Sequence, residues 1–230
     1  MPNLVRNFHR ILFLLLVFSN CVLFEPKIST VPDAYVREEV MNEEQKTATK
    51  VLKQKVIQFK NEVTQQRKLN SLTNQSIQIS KAKVAKHSAD RDLSRDKEKY
   101  FLLKDDPTQA KRYLEDSQNH EMERAKEETR MNVWIQKEKE DIAYLEAKEA
   151  ALAETIAELE LVRSEIAVKF QESQGKTPED KDYIKKEEYE SQYADRKSEA
   201  RRKVSELERI RTEAPKLPKV NLEDSFYEGK

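Results

Sequence analysis

Glycine is almost missing from this chain. Two occur in 230 residues, Gly175 and Gly229, so no glycine-rich loop can cradle a phosphate and the turn vocabulary of β-hairpins is absent. Cysteine is rarer still. Cys21 stands alone, which rules out an intramolecular disulfide. An excess of either charge is also missing: Lys and Arg number 43, and Asp and Glu number 43. Without a basic surplus to neutralise phosphates, nucleic-acid binding is not expected. Large apolar residues are sparse. Beyond Cys21, Leu, Ile, Val and Phe make up about one residue in five, near the border below which a compact globule cannot bury enough to fold. Histidine occurs three times, at His9, His87 and His120. None lies in an HExxH motif, no serine has a nucleophile-elbow context, and an enzyme is not expected.

What is present begins with a short apolar run, Ile11-Leu12-Phe13-Leu14-Leu15-Leu16-Val17-Phe18, followed by Ser19-Asn20-Cys21. Arg6 and Arg10 precede it, and the first acid is Glu25. A secretory apolar core spans roughly 7–15 residues, whereas a membrane span needs about 20. The run is therefore a better secretion signal than a permanent anchor. Phe18-Ser19-Asn20-Cys21 departs from a strict lipobox, which has Leu three residues before the cysteine and Gly or Ala immediately before it. It resembles the relaxed lipobox of spirochaetal bacterial lipoproteins. That resemblance covers the first 21 residues. It implies removal of residues 1–20, a diacylglycerol on the Cys21 sulfur and an N-acyl lipid on its amine, with no other cofactor. It also implies a bacterial envelope location, anchored by lipid to the inner or outer membrane and exposed to the periplasm or the cell surface. Ordinary secretion and an uncleaved anchor stay open as alternatives.

Ala, Glu, Lys, Arg, Gln and Leu dominate after residue 33, and these lose little freedom in a helix. Prolines divide the chain. Pro26 and Pro32 bracket a tether over 21–32. Asp106-Pro107-Thr108-Gln109 places Asp at a cap, Pro at the first helical position and Gln three residues past the cap. Thr177-Pro178-Glu179-Asp180 repeats that logic, and Gly175 lies where a left-handed residue closes a helix. The spacing predicts helices over about 33–104, 107–173 and 178–213, with a kink or break near 71–76 and an extended tail over 214–230.

In the second helix a 3–4 spacing runs through Met131, Ile135, Glu138, Ile142, Leu145, Glu149, Leu152, Ile156, Leu159, Arg163, Ile166 and Phe170. Sustained a/d spacing of this length is a coiled-coil pattern. In the first, Leu52, Val56, Phe59 and Val63 keep register, and then the apolar stripe drifts to Leu69, Leu72 and Ile79. The third offers Tyr183, Tyr189, Tyr193, Ala200, Val204, Leu207 and Ile210. Glu165→Lys169, Asp182→Lys186 and Glu199→Lys203 have the favourable i,i+4 order. The short Lys104-Asp105-Asp106 link favours an antiparallel hairpin. The expected fold is all-α: an elongated antiparallel helical hairpin or coiled-coil rod with a third, shorter helix. One nearly continuous helix pairing with a second chain is the rival.

A hairpin turning near residue 105 brings His87 and His120 to similar height, with Asp90 and Asp116 on the same faces. Two imidazoles and two carboxylates make a zinc-type donor set. The expectation is nonetheless two surface histidines and no metal, because a rod offers no cavity for an open coordination position. Trp134, Val133 and Ile135 are expected in the seam. Phe226-Tyr227 is read as part of an unstructured end. The function expected is a structural or scaffold lipoprotein whose lipid binds a membrane and whose helical faces bind protein partners, a second copy included. A surface adhesin or host-factor binder, and an envelope chaperone or secretion adaptor, are the alternatives.

Overall fold

The computed structural model describes residues 28–217, so Cys21, the apolar run before it and Phe226-Tyr227 lie outside the described residues. Among the described residues the fold is all-α, with three helices: α1 (Glu43–Leu103), α2 (Pro107–Ser173) and α3 (Lys186–Glu213). Two short 3-10 turns, Asp33–Tyr35 and Glu38–Val40, precede α1. Among the described residues no helix is long and apolar enough to cross a membrane.

The junctions follow local chemistry. Asp106 caps α2, its Oδ1 accepting the Gln109 N–H at 3.1 Å, with Pro107 at the first helical position. Asp105 closes α1 in the left-handed region at φ 55°, and the Asp106 N–H donates to the Phe101 carbonyl at 3.0 Å. Aspartate tolerates that conformation better than most residues. Gly175, at φ 77°, closes α2 in the same way, the Lys176 N–H donating to the Gln171 carbonyl at 3.0 Å.

Two predicted starts move. The first helix begins at Glu43, not near 33, because Asn42 is its cap. Asn42 Oδ1 accepts the Gln45 N–H at 2.8 Å, and Gln45 Oε1 accepts the Asn42 N–H at 3.3 Å. This reciprocal capping box is written in Asn42-Glu43-Glu44-Gln45 and was readable there. The third helix begins at Lys186, not 178. The Thr177 N–H donates to Asp180 Oδ2 at 2.8 Å, and fully buried Gln171 holds the loop from α2. Its Nε2 donates to the Asp182 carbonyl at 2.8 Å and its Oε1 accepts the Ile184 N–H at 2.9 Å. These bonds satisfy backbone groups that a longer helix would have used. No break occurs at 71–76, where α1 is continuous.

The described residues form two compact units: residues up to Thr49 with Ile156–Tyr193, and Lys50–Thr155 with the chain from Ala194 onward. In the first, Val31 packs with Ala167 and Tyr189, and Tyr35, Val36, Leu161 and Ile184 close around them. The Val31 N–H donates to Glu160 Oε2 at 2.7 Å, and Arg163 Nη2 donates to the Val31 carbonyl at 2.7 Å. Arg163 also reaches Asp33 Oδ1 at 2.6 Å. Residues Ser29 to Pro32, expected as tether, are therefore part of the packed body; the Ser29 N–H donates to Gln192 Oε1 at 2.8 Å. Burial pushes the Glu160 carboxyl up, opposed by the Val31 N–H and Arg163.

In the second unit α1 and α2 run antiparallel. Lys148 pairs with Glu62 at 2.6 Å, Arg67 with Glu149 at 2.7 Å, and Asn74 Nδ2 donates to Glu138 Oε1 at 3.0 Å. The last turns of α3 lie on α2 through Leu207, Ala143 and Ala147, flanked by Lys203–Glu146 at 2.5 Å and Arg211–Glu140 at 2.7 Å. None of the three i,i+4 pairs read from the sequence forms as such: Glu165 pairs with Lys186, Asp182 with Lys176, and Glu199 with Arg196.

Two seam assignments are corrected. On α2 in this unit a buried line runs through Ala143, Ala147, Ala150 and Ala153, while Ile142 is 45% exposed. Helices pack on both sides of this stretch, so small residues take the centre and Leu145 and Leu152 are half-buried beside them. On α1 the stripe does not drift. Gln66 and Thr73 stay buried in register and contact Asp141, Thr73 Oγ1 donating to its Oδ2 at 2.8 Å. Leu69 and Leu72 face outward, 52% and 58% exposed.

Candidate functional site

His87 on α1 and His120 on α2 meet in the second unit. Their ring centroids are 6.1 Å apart and their planes tilted by 37°. Asp90 joins them, and one ligand-type atom from each of the three lies within 4.8 Å of the others. The convergence follows from two periodicities. His87 and Asp90 are three residues apart on α1 and share a face. Antiparallel pairing brings His120 level with them, as Lys83–Glu127 and Arg91–Glu121 show on either side. Asp116 is not in the group. It lies a turn nearer the hairpin end than His120.

The cluster's own hydrogen bonding is incomplete. His87 Nδ1 is buried with no hydrogen-bond partner, an arrangement that costs free energy unless something occupies the lone pair or takes the proton. Among the described residues Asp90 makes no ion pair or hydrogen bond. Its neighbour Arg91 is engaged elsewhere, with Asp92 at 2.8 Å and Glu121 at 2.9 Å. Glu121 is held down to about 2 by hydrogen bonds from Arg124 and Arg91. Asp90 is left facing two imidazoles.

Glu123 was not singled out by sequence reading. It lies three residues after His120, so His120-x-x-Glu123 on α2 mirrors His87-x-x-Asp90 on α1. Its carboxyl is held below the ordinary range mainly by a hydrogen bond from Lys126, with a smaller electrostatic contribution from His87. Glu123 itself is bonded to Lys126 and is not in the group.

A second feature is apolar. Trp134 is buried as expected, with Val133 and Ile135 half-buried. Its Nε1 has no hydrogen-bond partner. Trp134, Leu69, Leu72 and Lys137 line a cavity of about 360 Å³ on the α1–α2 hairpin. The sequence marked Trp134 as a seam residue and placed Leu69 and Leu72 in the seam as well; the cavity exists because those leucines turn outward.

No protein-family model, curated protein or solved structure matches the chain. The residues themselves carry the functional argument.

Proposed function

We propose that this protein is a lipid-anchored scaffold of a bacterial envelope. The observation that carries the reading is the basic start and short apolar run ending at Cys21, followed within eight residues by a packed helical body whose first well-held residue is Ser29. A connection of that length spans about 29 Å at most. The body is then held close to the membrane that takes the acyl chains. Helical faces bind the partner: α1 presents Val51, Leu69, Leu72, Ile79 and Leu93 to solvent.

The test is the intact mass and detergent-phase partition of the native protein beside Cys21→Ala. The expected native mass lacks residues 1–20 and gains acyl groups, and the variant loses both properties. An unacylated native mass overturns the anchor.

A further inference from the structure

We infer that His87, Asp90 and His120 bind one divalent transition-metal ion of the zinc class, as a structural clamp between α1 and α2. This departs from the expectation of two surface histidines, and three observations motivate it. The donor atoms already lie within 4.8 Å of one another. The His87 Nδ1 is buried without a partner. Asp90 makes no ion pair or hydrogen bond among the described residues, so its carboxylate is available to an ion.

The donor set selects the class of ion. Two imidazoles and one carboxylate suit zinc and its neighbours, whereas magnesium and calcium take oxygen ligands. Zinc–ligand bonds of about 2.0–2.2 Å put the donors of a tetrahedral shell roughly 3.4 Å apart. The group must therefore draw in by a little over an ångström, which rotation of three part-buried side chains supplies. Two of the ligands come from α1 and one from α2, so the ion crosslinks the hairpin.

The test is calorimetric titration of zinc chloride into the full chain, alongside His87→Ala, Asp90→Asn and His120→Ala. All four are repeated with Cys21→Ala, so that a free thiol cannot supply the binding. One ion per chain is expected, with affinity falling at least tenfold in each variant. Zinc is also expected to raise the thermal midpoint of the parent and not of the variants, since an ion that binds only the folded state stabilises it by mass action. Helical circular dichroism shows that the variants remain folded, and His120→Gln supplies a second, volume-conserving variant. Cobalt substitution adds a tetrahedral visible spectrum that a loosely held surface ion does not give. Equal zinc affinity in the parent and in His87→Ala and His120→Ala overturns the inference, as does the absence of saturable binding by the parent at micromolar zinc.

Discussion

The two units solve the same shortage of apolar residues in different ways. In the first, a non-helical segment is pressed into the helices. Val31 is 1% exposed and has both backbone polar groups satisfied by side chains of α2. In the second, long stretches of the seam are polar. Gln66, Thr73, Ser80, Ser94, Ser117 and Asp141 are buried there, while Leu69 and Leu72 face out. A buried hydrogen bond nets only about 1 kcal/mol, but leaving one partner unsatisfied costs about 1–3. The first unit therefore gains a fixed attachment for an irregular strand. The second gains a register: sliding α1 past α2 would strand Asp141 and Thr73 without each other.

The sharpest way to break the contrast is to truncate a core side chain in one unit and an outward one in the other. Ile166→Ala, at a position with 0% exposure, is expected to cost about 2–4 kcal/mol. Leu72→Ala, at 58% exposure, is expected to change stability by no more than about 0.5 kcal/mol. Urea unfolding followed by circular dichroism measures both. Overpacking comes next. Ala157 is fully buried, and Ala157→Leu should cost about 1–3 kcal/mol, because the small residue fixes how closely its neighbours approach. Asn42→Ala should cost about 1 kcal/mol by removing the α1 cap. It should also raise amide exchange in the first turn.

The smallest effects are in pH, and they have opposite signs. Glu121, in the second unit, titrates near 2 rather than 4.5 because Arg124 and Arg91 hold its anion. Its depressed value means a contribution present above pH 4.5 and lost as pH falls toward 2. Glu160, in the first unit, is raised above 4.5 by burial. Its folded form keeps a proton that the unfolded form releases, so its contribution is largest below pH 4.5 and declines as pH rises through the raised value. Carboxyl NMR titration should show the two moving apart. Arg124→Ala should return Glu121 toward its ordinary range and leave Glu160 unmoved.

Much of this was readable from the chain because it is local. Helix-forming composition, the Asp106-Pro107 cap and the Gly175 stop act over a few residues, and the structure places each where the sequence does. What escaped depends on distant partners. The start of α3 is displaced by Gln171, eleven residues from the Asp182 carbonyl it binds. The alanine line on α2 is central only because helices pack on both of its sides. Burial of Gln66 and Thr73 in preference to Leu69 and Leu72 depends on Asp141, 68 residues from Thr73. The candidate metal group divides in the same way. Hairpin geometry brought His87 to His120 and helical spacing offered Asp90 and Asp116 alike; that only Asp90 joins the histidines depends on the packing of the two helices.

The grip on Val31 also sets where mechanical load enters the body. Tension on the chain upstream of Ser29 reaches Glu160 and Arg163, which hold the Val31 backbone, before it reaches the capped first turn of α1. A pull there loads side-chain bonds to the interior of a 67-residue helix and spares α1 from being unwound from its end. Tugging from the N-terminal side is thus met as a latch meets it, by side-chain bonds to Ser29 and Val31 before any helix end is loaded.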